Sequence, residues 1–339
     1  MKLYQLDLER RSIDRLAMTE RPSPRPGPGE VLIRMHAFSL NFRDLLIAKG
    51  LYPVSVTSTH LVPVSDGAGE VVEVGSGVTR FKPGDRVVTS FFQGWIDGQL
   101  TYPLMGTSLG GGIEGVLAEY VSLSQDGVVN IPDSLSYEEA ATLPCAAVTA
   151  WNALIETGHL KAGQSVLLQG TGGVSIFALQ LAHALGARVI VTSSSDQKLA
   201  RAKTLGAEGL INYKTHPDWE KKALELTGGL GVDHLVELGG SGTLAASLQA
   251  IGIHGQLSII GVLTGGIQGN IDFLPVLIRT ARLQGIFVGS RRMLERVIAS
   301  VVEHRIKPVI DRVYAFDEVL AAYRLMESGG HFGKIAIRL

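Results

Sequence analysis

Leu167-Leu-Gln-Gly-Thr-Gly-Gly-Val-Ser175, running on into Phe177-Ala-Leu-Gln-Leu-Ala-His-Ala-Leu185, decides the fold. An apolar strand enters a glycine-rich turn and leaves it as a helix with apolar residues at Val174, Ala178, Leu181, Ala182 and Leu185. A dinucleotide pyrophosphate needs this geometry. Gly170 and Gly172 allow a tight turn and close backbone approach, and the free N–H groups of a helix starting at Gly173 and Val174 face the phosphate charge. Ser175 stands where the third glycine of G-x-G-x-x-G is expected. A second strand, Arg188-Val-Ile-Val-Thr192, follows about twenty residues on, where cofactor choice is made.

Outward from this turn the rhythm is alternating strand and helix. Strands are read at 165–169, 188–193, 209–212, 232–238, 256–260 and 283–288, which predicts an α/β, doubly wound parallel sheet. A helix from Met293 to His304 and a final strand, Lys334-Ile-Ala-Ile-Arg338, lie beyond it. Residues 1–125 read instead as mostly β: Glu30-Val-Leu-Ile-Arg-Met-His-Ala alternates, and Pro22–Gly29, Gly75-Ser-Gly77 and Lys82-Pro-Gly-Asp85 are turn clusters. The expected division is a β-rich domain over 1–125, completed by 308–339 with a cleft between the two, and a nucleotide-binding domain over 126–307. Gln93 to Gly112, with Trp95 and Tyr102, reads either as a lid or as a packed surface excursion.

Length agrees with two domains, since 339 residues exceed one typical domain. A net charge of −1 gives no electrostatic footprint for nucleic acid, and no run of eighteen apolar residues spans a bilayer. The charged, strand-like first ten residues do not read as a secretory signal, so a cytoplasmic location is the expectation. One cysteine, Cys145, excludes an intrachain disulfide framework and a four-cysteine zinc lobe.

Several long motifs stand in order along the chain: Ser39-Leu-Asn-Phe-Arg-Asp44, Asp66-Gly-Ala-Gly-Glu-Val-Val, Phe81-Lys-Pro-Gly-Asp-Arg-Val87, Ala140-Ala-Thr-Leu-Pro-Cys-Ala-Ala-Val-Thr-Ala-Trp151, the Gly170 turn, and Leu205-Gly-Ala followed by Ile211-Asn-Tyr213. With them the chain resembles the zinc-independent, quinone oxidoreductase-like branch of the medium-chain dehydrogenase/reductases. The resemblance implies a GroES-like catalytic domain joined to a Rossmann domain. In zinc-holding relatives two cysteines and a histidine bind the catalytic ion; their positions fall at Asn41, Ser65 and Cys145, and one thiolate cannot make that site. No metal is therefore expected. Cys145 is either a pocket wall or plain packing.

The second strand ends in Ser193-Ser194-Ser195 with no acid to bond a ribose 2′-OH, and Asp196 reads as a helix N-cap. The resemblance places Lys198 and Tyr213 beside a 2′-phosphate, so NADPH is the expected cofactor; Lys334 is a further candidate phosphate contact. By the same resemblance Thr149 and the backbone at Val262-Leu263 and Val288-Gly289 orient the nicotinamide, and Gly239 lines the adenosine side. Without a Lewis acid, hydride transfer suits an acceptor that is already electron-poor, such as a quinone or an α,β-unsaturated carbonyl. Asn41 can donate to a substrate oxygen or hold the nicotinamide ribose. Tyr52 either donates a proton or is a rim aromatic, and Arg43 and Asp44 read as an internal pair. The expected partner is thus a small electrophilic substrate. Two alternatives stay open: a zinc-free alcohol dehydrogenase-like or enoyl-thioester enzyme, and an NADPH-binding structural or regulatory protein. A homodimer is expected through the Arg282–Gly289 edge.

Overall fold

The computed structural model describes residues 1–339 except Pro53, Val56, Thr57, Val262 and residues 264–270. In chain order the elements are β1 (Lys2–Asp7), β2 (Leu16–Glu20), β3 (Glu30–Leu40), α1 (Phe42–Ala48), β4 (His60–Leu61), β5 (Asp66–Val74), β6 (Arg86–Thr89), α2 (Tyr102–Met105), β7 (Tyr120–Ser124), β8 (Val128–Asn130) and α3 (Tyr137–Ala141). A π-helical turn, Leu143–Ala147, leads to α4 (Val148–Trp151). Then come β9 (Ser165–Gln169), α5 (Gly173–Ala184), β10 (Arg188–Ser193), α6 (Asp196–Thr204), β11 (Ala207–Asn212), α7 (Trp219–Leu226), β12 (Val232–Glu237), α8 (Leu244–Ala250), β13 (Ile251–Ile259), α9 (Leu274–Ile278) and β14 (Arg282–Gly285). The chain ends with α10 (Arg291–Glu303), β15 (Ile310–Ala315), α11 (Val319–Ser328) and β16 (Lys334–Arg338).

Two compact units result: Met1–Val148 with Val288–Leu339, and Thr149–Phe287. Their edges differ from the division expected from the sequence, after 125 and before 308. Packing explains this. α3 lies on β3 and β5, and α10 lies on β8 and the π-helical turn, so both helices join the first unit.

In the second unit six strands are paired all-parallel in the order β11-β10-β9-β12-β13-β14. The central strand β9 is buried along its whole length, which is why it reads as an apolar run without alternation. Two sequence-read strands shift: β13 starts at Ile251 rather than 256, and β14 ends at Gly285 rather than 288.

In the first unit the main sheet runs β15-β16-β3-β5-β6-β8, with β7 pairing the other end of β3. β3 is antiparallel to both β16 and β5, pairing Leu40 with Ile335 and Ser39 with Asp66. The end of β3 and the starts of β16 and β5 therefore lie side by side. Gly69 permits the β3–β5 approach: a Cβ there would stand 2.2 Å from the Arg34 carbonyl oxygen. A core of Phe38, Met35, Val71, Ile335 and Tyr323 holds the sheet. The Gln93–Gly112 segment is anchored by the buried Trp95 and Leu109 and is exposed at Asp97, Gly98 and Gln99 and along the short helix that carries Tyr102. Among the described residues no helix is long and apolar enough to cross a membrane.

Candidate active site

At the joined strand ends of the first unit, four charged side chains are buried together: Arg43, Asp44, Asp66 and Lys334. Asn41 is the N-cap of α1, and its backbone N–H donates to Asp44 Oδ2 at 2.8 Å. An N-cap side chain ordinarily accepts from its own helix. The Asn41 amide has a further partner: its Oδ1 accepts from Lys334 Nζ at 2.5 Å, while the same ammonium donates to the Leu40 carbonyl at 2.7 Å. The Asn41 amide nitrogen is buried and turns toward the Asp66 carboxylate without closing a well-formed hydrogen bond to it.

Asp66 is fully enclosed. Ser65 Oγ donates to its Oδ1 at 2.6 Å and the Cys145 backbone N–H to its Oδ2 at 3.1 Å. Burial raises its pKa above the usual carboxylate range, against the pull of the Lys334 charge and of its donors. Burial likewise lifts Asp44 to about 6, opposed by the Arg43 charge and the Asn41 N–H. The Cys145 thiol, in the π-helical turn, is pushed up by burial and by the Asp66 carboxylate, so it is a thiol and not a thiolate at neutral pH.

Arg43 and Asp44 do not pair as the sequence suggested. The Arg43 guanidinium donates to the Leu109 carbonyl at 2.7 Å and lies over the rings of Phe91 (4.5 Å) and Tyr52 (5.4 Å). Burial raises the Tyr52 pKa and the Arg43 charge lowers it, leaving a phenol beside a cation. Lys334 is also corrected: at 3% exposure, with its ammonium bound to Leu40 and Asn41, it is an interior residue of the first unit and not a phosphate contact.

In the second unit Gly170 has φ +72°, a conformation that glycine adopts without steric cost. α5 starts at Gly173 with Gly172 as N-cap and no side-chain cap, so its first N–H groups, including that of Val174, are left to a ligand or water. A Cβ at Gly170 or Gly172 would meet nothing within 4 Å, leaving open space over the turn. Ser175 replaces the third glycine because its hydroxyl turns inward, donating to the Gln169 carbonyl at 2.7 Å. These features fit a dinucleotide pyrophosphate.

At the end of β10, Ser193 is buried, Ser194 follows it, and the Tyr213 N–H donates to the Ser193 carbonyl at 3.1 Å. The N-cap of α6 is Ser195, not Asp196: Ser195 Oγ accepts from the Lys198 N–H at 3.3 Å. Asp196 instead accepts from Asn212 Nδ2 at 2.8 Å. Hydroxyls, a lysine and a tyrosine thus stand near the end of β10, with the Asp196 carboxylate held at the paired end of β11.

Glu237, at the end of β12, escaped the sequence reading. It is fully buried and accepts from the N–H groups of Gly239 (2.8 Å) and Gly240 (2.9 Å), from Thr243 Oγ1 (2.5 Å), from Gln169 Nε2 (2.8 Å) and from Ser247. Gly239 is thereby fixed in place; a Cβ on it would meet Thr243 Oγ1 at 2.1 Å. The only signal in the sequence was an acid inside an apolar strand, His234-Leu-Val-Glu237. Thr149 is buried in α4, Leu263 is half exposed, and Val262 lies outside the described residues. Val288 is buried with φ +55°, costly for a β-branched residue, and Gly289 follows it against Val148 and Met293.

The chain matches two known families: the alcohol dehydrogenase GroES-like domain over residues 27–133 and zinc-binding dehydrogenase over residues 173–303. It is 44% identical to a zinc-type alcohol dehydrogenase-like protein of Schizosaccharomyces pombe, over 99% of both chains. It is 36% identical to a quinone oxidoreductase of Pseudomonas aeruginosa, over 72% of this chain and 68% of that one. Among solved structures, a putative alcohol dehydrogenase from Sinorhizobium meliloti superposes with a TM-score of 0.91 at 43% identity, covering 100% of this chain and 99% of that one. An NAD-dependent alcohol dehydrogenase superposes at 0.90 with 34% identity and full coverage of both chains. A mycobacterial protein complexed with NADPH superposes at 0.84 with 25% identity, again over the whole of both chains.

The zinc named in one family description does not fit the donors here. The Asn41 amide is spent on an ammonium, Ser65 on Asp66, and Cys145 holds its proton; a divalent ion would stand beside Lys334. Among the described residues no group of three His, Cys, Asp or Glu is disposed to hold a metal. With a GroES-like unit carrying this polar cluster, a parallel six-stranded nucleotide-binding unit, and relatives matched along their full length, the chain belongs to the medium-chain dehydrogenase/reductase family of oxidoreductases.

Proposed function

We propose that the protein is an NADPH-dependent, metal-free reductase of quinones or α,β-unsaturated carbonyls. When bound, NADPH supplies the hydride. What remains for the protein is the electron pair that hydride addition displaces onto the acceptor oxygen. The observation that carries this reading is the donor set of the first unit: the buried Asn41 amide nitrogen, which closes no well-formed hydrogen bond, and a Tyr52 phenol beside the Arg43 cation. Such donors, buried and pre-aimed, stabilise a developing oxyanion without reorganising. Tyr52, kept protonated by burial, can then deliver a proton to that oxygen.

The pyrophosphate would be held by the N–H groups at Gly173 and Val174, with Gly170 and Gly172 allowing its approach. The 2′-phosphate would meet Ser193, Ser194, Lys198 and Tyr213. The serine run that stands at the end of β10 in place of an acid supports NADPH over NADH. Asn41, Ser65 and Cys145 make a donor set that does not fit a Lewis-acidic metal, which favours acceptors already polarised by conjugation.

The reading extends to a cytoplasmic homodimer. β14 is the last strand of its sheet, and α9 beside it exposes Leu277 (75%) and Ile278 (68%) with Phe273 and Leu274. A bare edge strand next to an apolar patch is a pairing surface.

Following NADPH oxidation with 1,4-benzoquinone, simple enones and an enoyl thioester, against NADH controls, tests the proposal. Turnover with NADPH in protein free of stoichiometric zinc is expected. Zinc-dependent alcohol oxidation with NAD, and no reduction of any acceptor, would sink it.

A further inference from the structure

We infer that Lys334 is a positioning residue: it fixes the Asn41 amide so that its nitrogen, and not its oxygen, faces the reacting centre. The inference deepens the reductase reading and rests on it for the identity of what Asn41 meets.

An asparagine amide has one accepting end and one donating end, and rotation by a half-turn exchanges them. A lysine ammonium only donates. With Nζ 2.5 Å from the Asn41 side chain, the atom facing it must be the oxygen. A second anchor holds the ammonium itself, the Leu40 carbonyl at 2.7 Å, on the residue preceding Asn41. Register makes this arrangement rigid. Ile335 pairs with Leu40 and Ser39 with Asp66, so the starts of β16 and β5 flank the end of β3. Asp66 lies on the opposite side and balances the lysine charge through burial in the same cluster.

Three consequences bear on catalysis. The Asn41 oxygen, at the N-cap of α1, is committed to the ammonium and to its own helix end. The amide nitrogen turns toward the Asp66 carboxylate, which can take one N–H and leaves the other for a ligand. The ammonium also polarises the amide, which strengthens the nitrogen as donor. A cation buried one bond away thus acts through Asn41 on the oxyanion and needs no contact with it.

The test is a double-mutant cycle read on kcat and KM at saturating NADPH: wild type, Lys334→Met, Asn41→Ala, and both together. Acting through Asn41, Lys334→Met is expected to lower kcat about tenfold or more, as loss of an oxyanion donor does, with KM within about threefold. In the Asn41→Ala background the same change is expected to cost less than about twofold. Equal losses in the two backgrounds overturn the inference, since they mean a role independent of Asn41. Should Lys334→Met not fold because Asp66 is left unbalanced, Lys334→Met/Asp66→Asn replaces it in both arms. If the wild-type protein turns over none of the acceptors, the reductase reading falls by itself. Neutron diffraction of deuterium-exchanged wild-type crystals then decides the positioning: a deuterated amide nitrogen facing Lys334 Nζ refutes it, and a bare oxygen there upholds it.

Discussion

The backbone N–H of Cys145 donates to Asp66 Oδ2 at 3.1 Å, tying the π-helical turn to the first residue of β5. Together with the Lys334 charge it makes Asp66 a hub for elements far apart in sequence. Removing one of two buried charges that compensate each other costs about 3–5 kcal/mol, because the other is left uncompensated. Asp66→Asn is therefore expected to lose roughly 3 kcal/mol in urea unfolding, and Lys334→Met/Asp66→Asn to recover a large part. A double variant no more stable than Asp66→Asn would show that the pair's charge balance is not what holds this region.

Asp44 makes stability depend on pH. Its folded pKa, about 6, lies above the unfolded value near 3.8, so the folded state binds its proton more tightly. That contribution is complete below about pH 4 and disappears as pH rises through 6. At about 1.4 kcal/mol per unit it amounts to on the order of 3 kcal/mol. Wild type is expected to gain stability relative to Asp44→Asn as pH falls from 7.5 to 4, measured by denaturant midpoints. Parallel pH curves for the two proteins would contradict the buried-carboxyl picture.

Cofactor preference is expected to reside in Lys198 and Tyr213. A charge-assisted contact to phosphate is worth about 1.5–3 kcal/mol. Lys198→Ala/Tyr213→Phe should reduce the ratio of NADPH to NADH affinity by about ten- to a hundredfold, chiefly by weakening NADPH, as titration of each nucleotide would report. A ratio that does not move places the 2′-phosphate elsewhere.

The exposed face of α9 predicts an association phenotype. Leu277→Glu sets a carboxylate into an apolar patch beside the β14 edge. Light scattering after size-exclusion chromatography is expected to give twice the chain mass for wild type and a single chain for the variant. A wild-type monomer would remove the dimer from the proposal.

Much of the nucleotide-binding unit was legible because its strands are short, apolar and punctuated: 165–169 and 188–193 are found where they were read. β13 was read short because Ile251-Gly-Ile-His-Gly255 carries two glycines and a histidine, which look like a turn. The polar cluster was less legible. Arg43 and Asp44 are adjacent in sequence, but successive side chains of a helix point about 100° apart, so adjacency was no sign of pairing. Lys334 was read as a candidate phosphate contact because the alternation of Lys-Ile-Ala-Ile-Arg does not say which face is covered. α11 and the end of β3 bury it, and that is a fact of tertiary packing. Asn41 could be named as a candidate from sequence; which end of its amide is presented could not.

The Lys334–Asn41 contact spans 293 positions along the chain, with the whole parallel-sheet unit lying between them. Contacts so distant are slow to form, and the cost of closing a loop grows only gently with its length. The inserted unit can therefore collapse early on its own local pairings, while the outer sheet waits for β16 to arrive beside β3. Competence for chemistry should accordingly be the last property acquired during refolding, lagging the recovery of nucleotide affinity.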